Sequence, residues 1–576
     1  MQVMTDEKKV FETVDRNLFD FIRSGAGYSD EDTVFTYFGR NFTFGYFRKN
    51  VDKISRILLA DEKLRSGDRI VISLLTMPES ICLLYACNYI GLVPVMVDIR
   101  LSPGEMKRVI TEMDAQYAFV TDVNSKRLSV MCEAACLRKL FVVPMAQSLG
   151  APAMFFRKFS SFFTGNPYMF TSLALPKAFM WKDFVNAPGI PEDRALTPSG
   201  GDSEMIFATS GTTGEKKYVR HLARSLNMNV YFNEFLFDLR SSEYELMIAF
   251  MPIFVCFGFA GSIHLPLYYG MRIHIHMIYD LRKIPDIIMK VKPNYFVGSL
   301  GHWERIADSP KVREGDLSFL RFALFSGERC ESEKQKRIND ILLSRGSKTK
   351  LLQAYGMTEL TVISVQQQDD DMDGNLGRPF PFINISITDP ETGEIKQCGQ
   401  VGEICVDSPC RTIGYSGNEE ETARLLRRHD DGKIWVHTGD LGYIDERGYL
   451  YFVDRIKNML VSVSGTKIYL PTIDRAVEEC ENVAECAAVA IKDADIKVIR
   501  SIVLFVVPKP GFKDRDVKKS VKSLILRELP RYLIPDRIEI IREMPALSSG
   551  KIDRAKLESM AEGLIINSSI PLVSVK

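Results

Sequence analysis

Hydrophobic positions between residues 34 and 140 switch repeatedly between a helical period and short apolar runs. Apolar side chains recur at Phe47, Val51, Ile54 and Leu58, a spacing that predicts an amphipathic helix over residues 44–59. The run Arg69–Leu75, which is mostly apolar, is instead typical of a buried strand. Further elements are predicted as helices at Glu79–Ile90 and Pro103–Met113 and as strands at Gly91–Asp98 and Tyr117–Thr121. Strands that alternate with helices predict a mostly parallel α/β sheet.

The pattern changes after Phe382, where short alternating strands follow one another. They predict a small β-rich subdomain near residues 382–454. Beyond it, helices are predicted at Thr472–Cys480 and Asp516–Glu528 and strands at Ala484–Ile491 and Arg500–Val507. A chain of 576 residues exceeds one compact core. We therefore predict an α/β fold with a large N-terminal domain of mixed α/β sheets, residues 1–454, and a smaller mobile α+β lid domain, residues 455–576.

Composition narrows the class of protein without identifying it. Lysine plus arginine and aspartate plus glutamate number 74 each, so net charge gives no reason to expect nucleic acid as a partner. The eleven cysteines include no C-x-x-C pair, which fits reduced thiols in a cytosolic enzyme better than disulfides or a zinc site. The N-terminus, Met1–Lys9, is too polar for a secretory signal. We therefore expect a cytoplasmic location.

Two segments raise the question of a membrane contact. Residues 248–271 carry almost no charge and have about the length of a bilayer span. However, Pro252, Pro266 and several glycines favour a buried strand–turn–helix over a transmembrane helix. Residues 154–165 are aromatic and basic. A packed surface insertion is favoured there, and a peripheral membrane contact is the alternative.

The stretch from Ala208 to Val219 is rich in glycine and hydroxyl side chains and follows an apolar run. Gly211 and Gly214 lack a Cβ, so the backbone can approach a ligand closely. Hydroxyls and backbone N–H groups can then surround phosphate oxygens, with Lys216 or Lys217 adding positive charge. The stretch does not match the G-x-x-x-x-G-K-[ST] phosphate loop. By itself it is equally well explained as a polar surface loop.

Two more small-residue turns follow apolar strands, at residues 322–328 and 351–360. In open parallel sheets, ligands bind beyond the carboxyl ends of the strands. These two turns and the glycine-rich loop are therefore expected to line one crevice.

Four motifs stand in a fixed order: residues 209–217, 355–359, 438–440 followed by Asp454-Arg455, and 545–554. As an ordered set they resemble the AMP-forming adenylating superfamily of acyl-CoA synthetases, peptide-synthetase adenylation domains and beetle luciferases. The resemblance extends over roughly residues 30–558 and is closest in character to acyl-CoA synthetases. It implies an AMP-forming acid–thiol ligase, which converts a carboxylic acid and ATP to an acyl-adenylate and then to an acyl-CoA.

The resemblance assigns the nucleotide to three groups of residues. The residues that would bind the β- and γ-phosphates lie in the loop and are Thr209, Ser210, Gly211, Thr212, Thr213, Gly214 and Lys217. The residues that would line the adenine side are Ser326, Gly327, Glu328, Gln353, Ala354, Tyr355 and Gly356. Tyr355 would stack on the base. Asp440 would accept hydrogen bonds from the ribose hydroxyls, and Arg455 would support the ribose.

The same resemblance implies the catalytic groups. Thr358 would contact the α-phosphate, and Glu359 would hold Mg²⁺, a hard cation that suits one carboxylate plus phosphate oxygens. Lys551 would reach the carboxylate and the α-phosphate and stabilise charge in the transition state. The hinge about which the small domain rotates between the two half-reactions maps to Lys457.

The acyl pocket of the family follows the position of Met251-Pro252, where this chain has Phe254, Val255, Phe257 and Gly258. Amino-acid-activating members place an aspartate there to bind the ammonium group. This chain has no acidic side chain there, so burying the ammonium group of an amino acid would be costly. The apolar lining therefore predicts a fatty or aryl carboxylic acid as the substrate. Val255 stands where many acyl-CoA synthetases carry a histidine.

Coenzyme A is the acceptor that the resemblance implies. Lysines of the small domain can attract its phosphates, and a solvated helix face explains them equally well. Two alternatives stay open, namely an acyl-AMP ligase that loads a carrier-protein phosphopantetheine and a catalytically idle binding protein. Two departures from the family pattern motivate them. Lys216-Lys217-Tyr218 replaces the usual Pro-Lys-Gly, and the stretch Met459–Gly465 is one residue longer than usual.

Overall fold

The computed structural model describes residues 7–121, 125–144, 175–209, 216–237, 239–240, 245–276, 281–328, 330–371, 374–456, 460–461, 467–468, 470–492, 499–529, 533–545 and 552–566. The chain divides into two compact units. The first unit comprises Met1–Ile385, Val406–Val436 and Gly448–Leu450. The second unit comprises Ser386–Cys405, His437–Arg447 and Tyr451–Lys576.

Strands are numbered in chain order. The strands up to residue 275 are β1 (Thr33–Tyr37), β2 (Arg40–Thr43), β3 (Arg69–Ser73), β4 (Val93–Met96), β5 (Tyr117–Thr121), β6 (Lys139–Val143), β7 (Ala178–Met180), β8 (Glu204–Ala208), β9 (Tyr218–Leu222), β10 (Leu246–Ala249) and β11 (Arg272–Ile275). The later strands are β12 (Tyr295–Gly298), β13 (Phe322–Ser326), β14 (Leu351–Met357), β15 (Thr361–Val365), β16 (Arg378–Pro379), β17 (Asn384–Thr388), β18 (Gly402–Asp407), β19 (Gly414–Tyr415), β20 (Leu426–Arg428), β21 (Ile434–Ile444), β22 (Leu450–Arg455), β23 (Leu460–Val461), β24 (Lys467–Ile468), β25 (Val483–Lys492), β26 (Ile499–Pro508) and β27 (Arg537–Ile540).

The α-helices among the described residues are Glu7–Val14, Leu18–Ala26, Phe44–Leu59, Pro78–Tyr89, Pro103–Glu112, Ser125–Cys132, Trp181–Val185, Ala223–Tyr231, Cys256–Phe259, Leu265–Tyr268, Ile284–Val291, Leu300–Asp308, Pro310–Glu314, Ser332–Ser344, Glu419–Leu425, Leu470–Glu478, Asp514–Glu528 and Arg554–Ile566. The predicted helix at 44–59 is confirmed. Thr43 caps it by accepting a hydrogen bond from the Tyr46 N–H at 3.1 Å, and its apolar stripe, Phe47 to Leu58, is buried.

The first unit contains two large sheets. The eight-stranded sheet has the order β19-β9-β8-β4-β3-β5-β6-β7, with parallel pairing from β8 to β7 and antiparallel β9 and β19. The nine-stranded sheet has the order β16-β15-β14-β13-β12-β10-β11-β1-β2. The mostly parallel character was predicted. The division of residues 34–140 between two sheets was not, because a hydrophobic period identifies a strand but not its neighbour.

The uncharged segment at 248–271 forms the predicted strand–turn–helix. Strand β10 leads into three short helical pieces, with a π-helical turn, Ala260–His264, between two α-helical ones. None of the helices in the described parts of the chain is long and apolar enough to span a bilayer. The aromatic, basic segment at 154–165 lies outside the described residues.

The second unit contains a three-stranded sheet in the order β25-β26-β27. Alternate residues of β25 face opposite sides. Ala488 and Ala490 pack in the cluster that contains the helices at 470–478 and 514–528, and Ala487 and Val489 pack in the cluster of the helix at 554–566. A sheet covered on both faces fits the apolar runs from which these strands were predicted.

A further five-stranded sheet has the order β17-β18-β21-β20, with β22 paired to β21. Its strands lie between Asn384 and Arg455, in the region where the β-rich subdomain was predicted. The sheets and helices together confirm the mixed α/β fold class. The domain boundary at residues 454 and 455 stays a prediction.

Candidate active site

The glycine-rich loop connects β8 to β9, and hydrogen bonds close its base. The Thr209 N–H donates to the Lys217 carbonyl at 2.8 Å, and the Lys217 N–H donates to Thr209 Oγ1 at 3.0 Å. The predicted phosphate residues Ser210, Gly211, Thr212, Thr213 and Gly214 lie outside the described residues. Strand pairing between β8 and β9 therefore fixes both ends of this loop.

The residues that depart from the family pattern are accommodated by their surroundings. Tyr218 is buried and packs in the apolar cluster of the eight-stranded sheet. Its partner in the β8–β9 pair is Ala208. Lys216 lies 3.7 Å from a carboxylate oxygen of Glu105. The Tyr218 side chain thus belongs to the core, which gives this position a packing role in place of glycine's flexibility.

Lys217 belongs to a chain of polar contacts that ends at Glu359. Its Nζ lies 2.5 Å from Glu421 Oε2 and 4.8 Å from the centre of the Tyr415 ring. The Tyr415 hydroxyl donates to Glu359 Oε1 at 2.7 Å. Burial and the negative charge of Glu359 raise the pKa of Tyr415, so its hydroxyl stays protonated and remains a donor.

Glu359 suits a divalent cation. Its side chain is buried, and Tyr415 bonds to one carboxylate oxygen. The Tyr415 bond occupies Oε1, so Oε2 is the oxygen that we consider for a ligand. One carboxylate together with phosphate oxygens is a common way to bind Mg²⁺.

The turn that carries Thr358 and Glu359 has a constrained backbone. Thr361, a β-branched residue, has φ of +59°, a region that such residues rarely adopt. A Cβ added at Gly356 would lie 1.9 Å from the Thr361 carbonyl oxygen. Only glycine therefore fits at position 356 of this turn.

The predicted adenine-side residues lie on neighbouring strands. Ser326 at the end of β13 pairs with Ala354 in β14, and Gly327 turns with φ of +90°. The Gln353 side chain donates to the Glu328 carbonyl at 3.2 Å. Glu328 also accepts a hydrogen bond from the Leu300 N–H at 3.2 Å. The predicted residues 326–328 and 353–356 are thus brought together.

The predicted acyl residues have different environments. Phe254 is buried, and Val255 and Phe257 are partly exposed. Gly258 packs against the backbone, since a Cβ there would lie 2.3 Å from the Pro252 carbonyl oxygen. Burial and, to a smaller extent, the charge of Glu359 raise the pKa of the adjacent Cys256 thiol to about 12.

The sequence assigned neither Gly261 nor Val297 to the acyl pocket. A Cβ at Gly261 would lie 3.5 Å from Val297 Cγ1 and 4.0 Å from Phe257 Cε2. Three apolar residues from the π-helical turn, β12 and the acyl segment therefore meet. Their residue types gave no signal, because valine and glycine are common everywhere.

In the second unit, Arg455 Nε lies 2.6 Å from Asp440 Oδ1. Asp440 is almost fully buried. The residue before it, Gly439, has φ of +69°, and its N–H donates to Glu403 Oε1 at 3.0 Å. His437 bonds through Nδ1 to the other oxygen of Glu403 at 2.8 Å. The predicted ribose residues Asp440 and Arg455 are thus paired, and Glu403 and His437 fix their turn.

Cys405 joins Glu403 and His437, and the three candidate ligand atoms lie within 4.8 Å of one another. Hydrogen bonds account for this grouping, because Glu403 bonds to both Gly439 and His437. Thr388 Oγ1 lies 3.2 Å from Cys405 Sγ. The cluster is therefore explained without a metal ion.

Lys457 and Lys551 lie outside the described residues, but the segment that follows Lys551 is anchored. The Asp553 N–H donates to the Pro545 carbonyl at 2.8 Å. Arg554 donates to the Ala488 carbonyl and to Asp474 Oδ2, both at 2.6 Å. The arginine of the last motif is therefore an anchor for the chain next to Lys551.

Comparisons with known proteins identify the family of this chain. The family model described as AMP-binding enzyme matches residues 21–416, and the model described as AMP-binding enzyme C-terminal domain matches residues 472–551. The long-chain-fatty-acid–CoA ligase of Bacillus subtilis (strain 168) is 23% identical over 553 residues, which cover 94% of this chain and 94% of that protein. The feruloyl-CoA synthase of Amycolatopsis sp is 26% identical over 533 residues, which cover 92% of this chain and 95% of that protein.

The crystal structure of ATP-bound MatB from Rhodopseudomonas palustris matches with a TM-score of 0.76 at 21% identity, covering 96% of this chain and 99% of that one. At this identity the likeness concerns the fold, and it confirms the predicted combination of a large N-terminal and a smaller C-terminal domain.

Proposed function

Because the chain belongs to the AMP-binding enzyme family, we propose that it activates a carboxylic acid with ATP and transfers the acyl group to coenzyme A. In the first step a carboxylate oxygen bonds to the α-phosphorus, and the bond between that phosphorus and the pyrophosphate leaving group breaks. In the second step the thiolate of coenzyme A attacks the acyl carbon, and AMP leaves.

The observation that carries the proposal is the chain of contacts from Lys217 through Tyr415 to Glu359. It brings the end of the glycine-rich loop, where the Lys217 ammonium is paired with Glu421, near a buried carboxylate suited to a cation. A reaction between two anions requires charge neutralisation and fixed orientation. Bound Mg²⁺ would neutralise phosphate charge next to Glu359.

We assign the remaining roles from the motifs. Residues 209–217 hold the pyrophosphate side and Thr358 the α-phosphate. Tyr355 stacks on adenine, and Asp440 with Arg455 holds the ribose. Lys551 contacts the reacting carboxylate and the α-phosphate, and Lys457 is the hinge of a small domain that begins near residue 455.

We propose a fatty or aryl acid as the substrate. Val255, Phe257 and Gly261 are partly exposed and offer apolar surface beside Cys256, and the buried Val297 packs behind Gly261. Such surface fits an alkyl or aromatic substituent. The two relatives named above act, by their names, on a long-chain fatty acid and on a feruloyl group, so both classes belong in the substrate panel.

The test is a panel of carboxylic acids with ATP and Mg²⁺, in which pyrophosphate release is followed with and without coenzyme A. We expect release with an apolar acid and accumulation of its acyl-CoA. Acyl-AMP that coenzyme A does not discharge would point instead to a carrier-protein acceptor. If no acid released pyrophosphate, the chain would be a binding protein.

Lys551→Ala provides the mechanistic arm of this test. We expect it to abolish pyrophosphate release while ATP binding stays nearly unchanged. Lys556→Ala is the matched control, because Lys556 lies in the same segment, on the exposed face of the helix at 554–566. Unaltered pyrophosphate release in Lys551→Ala would contradict the assigned role.

A further inference from the structure

We propose that His221 is a positioning residue, which holds the turn of Thr358 and Glu359 in the geometry that MgATP requires. The inference rests on the proposed function, because it takes these two residues as the α-phosphate and metal contacts. His221 matches none of the motifs discussed above. Its position on β9, the strand that follows the glycine-rich loop, is the starting point of the argument.

The His221 ring makes one hydrogen bond of defined direction. Nε2 lies 2.7 Å from the Thr358 carbonyl oxygen. A carbonyl oxygen only accepts, so Nε2 carries the proton. Burial lowers the pKa of His221 to about 4, so the ring is neutral near neutral pH and the donor persists.

Packing alone does not account for a histidine at this position. The residue is fully buried, and Nδ1 has no hydrogen-bond partner among the residues that the structure describes. A buried polar atom without a partner is unfavourable, whereas leucine would fill similar space without that disadvantage. The Nε2 bond to Thr358 is the interaction that distinguishes histidine from leucine here.

Strand β9 holds the turn through a second link as well. Thr412 Oγ1 donates to the Arg220 carbonyl at 2.6 Å, and the Thr412 N–H donates to the Glu359 carbonyl at 2.8 Å. The carbonyls of both Thr358 and Glu359 are therefore connected to β9. Since Lys217 directly precedes β9, the same strand fixes the end of the glycine-rich loop.

The turn requires such support because its backbone is strained. Thr361 has φ of +59°, and such conformations persist only where surrounding contacts enforce them. Without the His221 bond, the Thr412 bond to the Glu359 carbonyl remains, but the Thr358 carbonyl loses its link to β9. We expect the Thr358 side chain and the Glu359 carboxylate to shift as a result. Misplacement of phosphate and metal contacts weakens the binding of MgATP but leaves the adenine and ribose contacts in place.

The experiment compares His221→Leu, His221→Gln and His221→Asn, with the dissociation constants of MgATP and adenosine measured by equilibrium dialysis. The glutamine amide nitrogen reaches the position of Nε2, and the shorter asparagine does not. We expect His221→Leu and His221→Asn to weaken MgATP about tenfold, the effect of one lost hydrogen bond, with adenosine unchanged. His221→Gln should restore most of the MgATP affinity.

Three results would overturn the inference. They are unchanged MgATP affinity in His221→Leu, a parallel loss of adenosine affinity, and equal behaviour of the glutamine and asparagine variants. If His221→Leu does not fold, the comparison of glutamine with asparagine decides alone. If the unaltered chain binds MgATP and releases pyrophosphate, and the variants bind MgATP with the same dissociation constant, this inference fails and the proposed function stands. If the unaltered chain binds no MgATP, the proposed function fails first and this assignment with it.

Discussion

Glu359 in the first unit and Asp440 in the second are both buried carboxylates in predicted nucleotide-binding motifs, but their partners differ in charge. Glu359 accepts a hydrogen bond from the neutral hydroxyl of Tyr415 at 2.7 Å. Asp440 lies 2.6 Å from the guanidinium of Arg455. One carboxylate thus has an uncharged partner, and the other has a cationic one.

The difference matches the ligands that we propose for them. A divalent cation is attracted by an uncompensated carboxylate, and a neutral hydroxyl donor leaves that charge in place. Ribose hydroxyls carry no charge, so a lone buried carboxylate facing them would be costly. Pairing with Arg455 reduces that cost and leaves oxygen lone pairs to accept hydrogen bonds. Four substitutions test this comparison.

Glu359→Gln should have the largest effect. The amide oxygen can still accept from Tyr415, so the fold should be kept, but the charge for Mg²⁺ is lost. We expect the rate of pyrophosphate release to fall about 100- to 1000-fold, because removing one electrostatic group from a preorganised site typically lowers the rate by this factor. Initial rates across a Mg²⁺ titration measure it, with the exposed Glu62→Gln as the control. A rate that stayed within a factor of three would remove Glu359 from the metal site.

Asp440→Asn should act on nucleotide affinity and leave the metal requirement unchanged. Loss of charge-assisted hydrogen bonds to the ribose should raise the KM for ATP about 10- to 50-fold. The variant should also discriminate less against 2′-deoxy-ATP. Asp445→Asn, near the end of the same strand, is the control. A changed Mg²⁺ optimum in Asp440→Asn would mean that the two carboxylates do not have separate roles.

Sequence reasoning found these two carboxylates but not the residues that hold them. Glu359 and Asp440 stand in short motifs, whereas Tyr415 and His221 reach the turn at 358–359 from distant parts of the chain. A tyrosine or histidine on a strand carries no local sign of such a contact. Glu403 and His437, which hold the turn before Asp440, were missed for the same reason.

The fold shows the same limit. Periodicity predicted the helix at 44–59 and the strands β3, β4 and β5 at nearly their observed positions. It did not predict that β1 and β2 join β11 in one sheet while β3 to β5 join another. Strand pairing depends on contacts between segments that are distant in the sequence. The hydrophobic pattern of one chain does not show which strands make these contacts.

Tyr415→Phe should have an intermediate effect on the Glu359 side of the comparison. The carboxylate keeps its charge but loses the donor that orients it, so we expect catalysis to fall about fivefold, near the value of one ordinary hydrogen bond. Pyrophosphate release at saturating Mg²⁺ measures it. Tyr449→Phe is a matched control, because the Tyr449 hydroxyl also bonds to a carboxylate, Asp370, at 2.6 Å. A similar loss in the control would indicate a general effect on stability.

Arg455→Gln should have the smallest effect. Its side chain is 46% exposed, so water at the guanidinium end of the pair takes over part of its role. We expect the KM for ATP to rise about two- to fivefold, with turnover at saturating ATP unchanged. Arg447→Gln, which breaks the exposed pair with Asp445 at 3.1 Å, should leave both constants unaltered. An effect of Arg455→Gln as large as that of Asp440→Asn would mean that Arg455 itself binds the nucleotide, and that charge compensation of Asp440 is the minor part of its role.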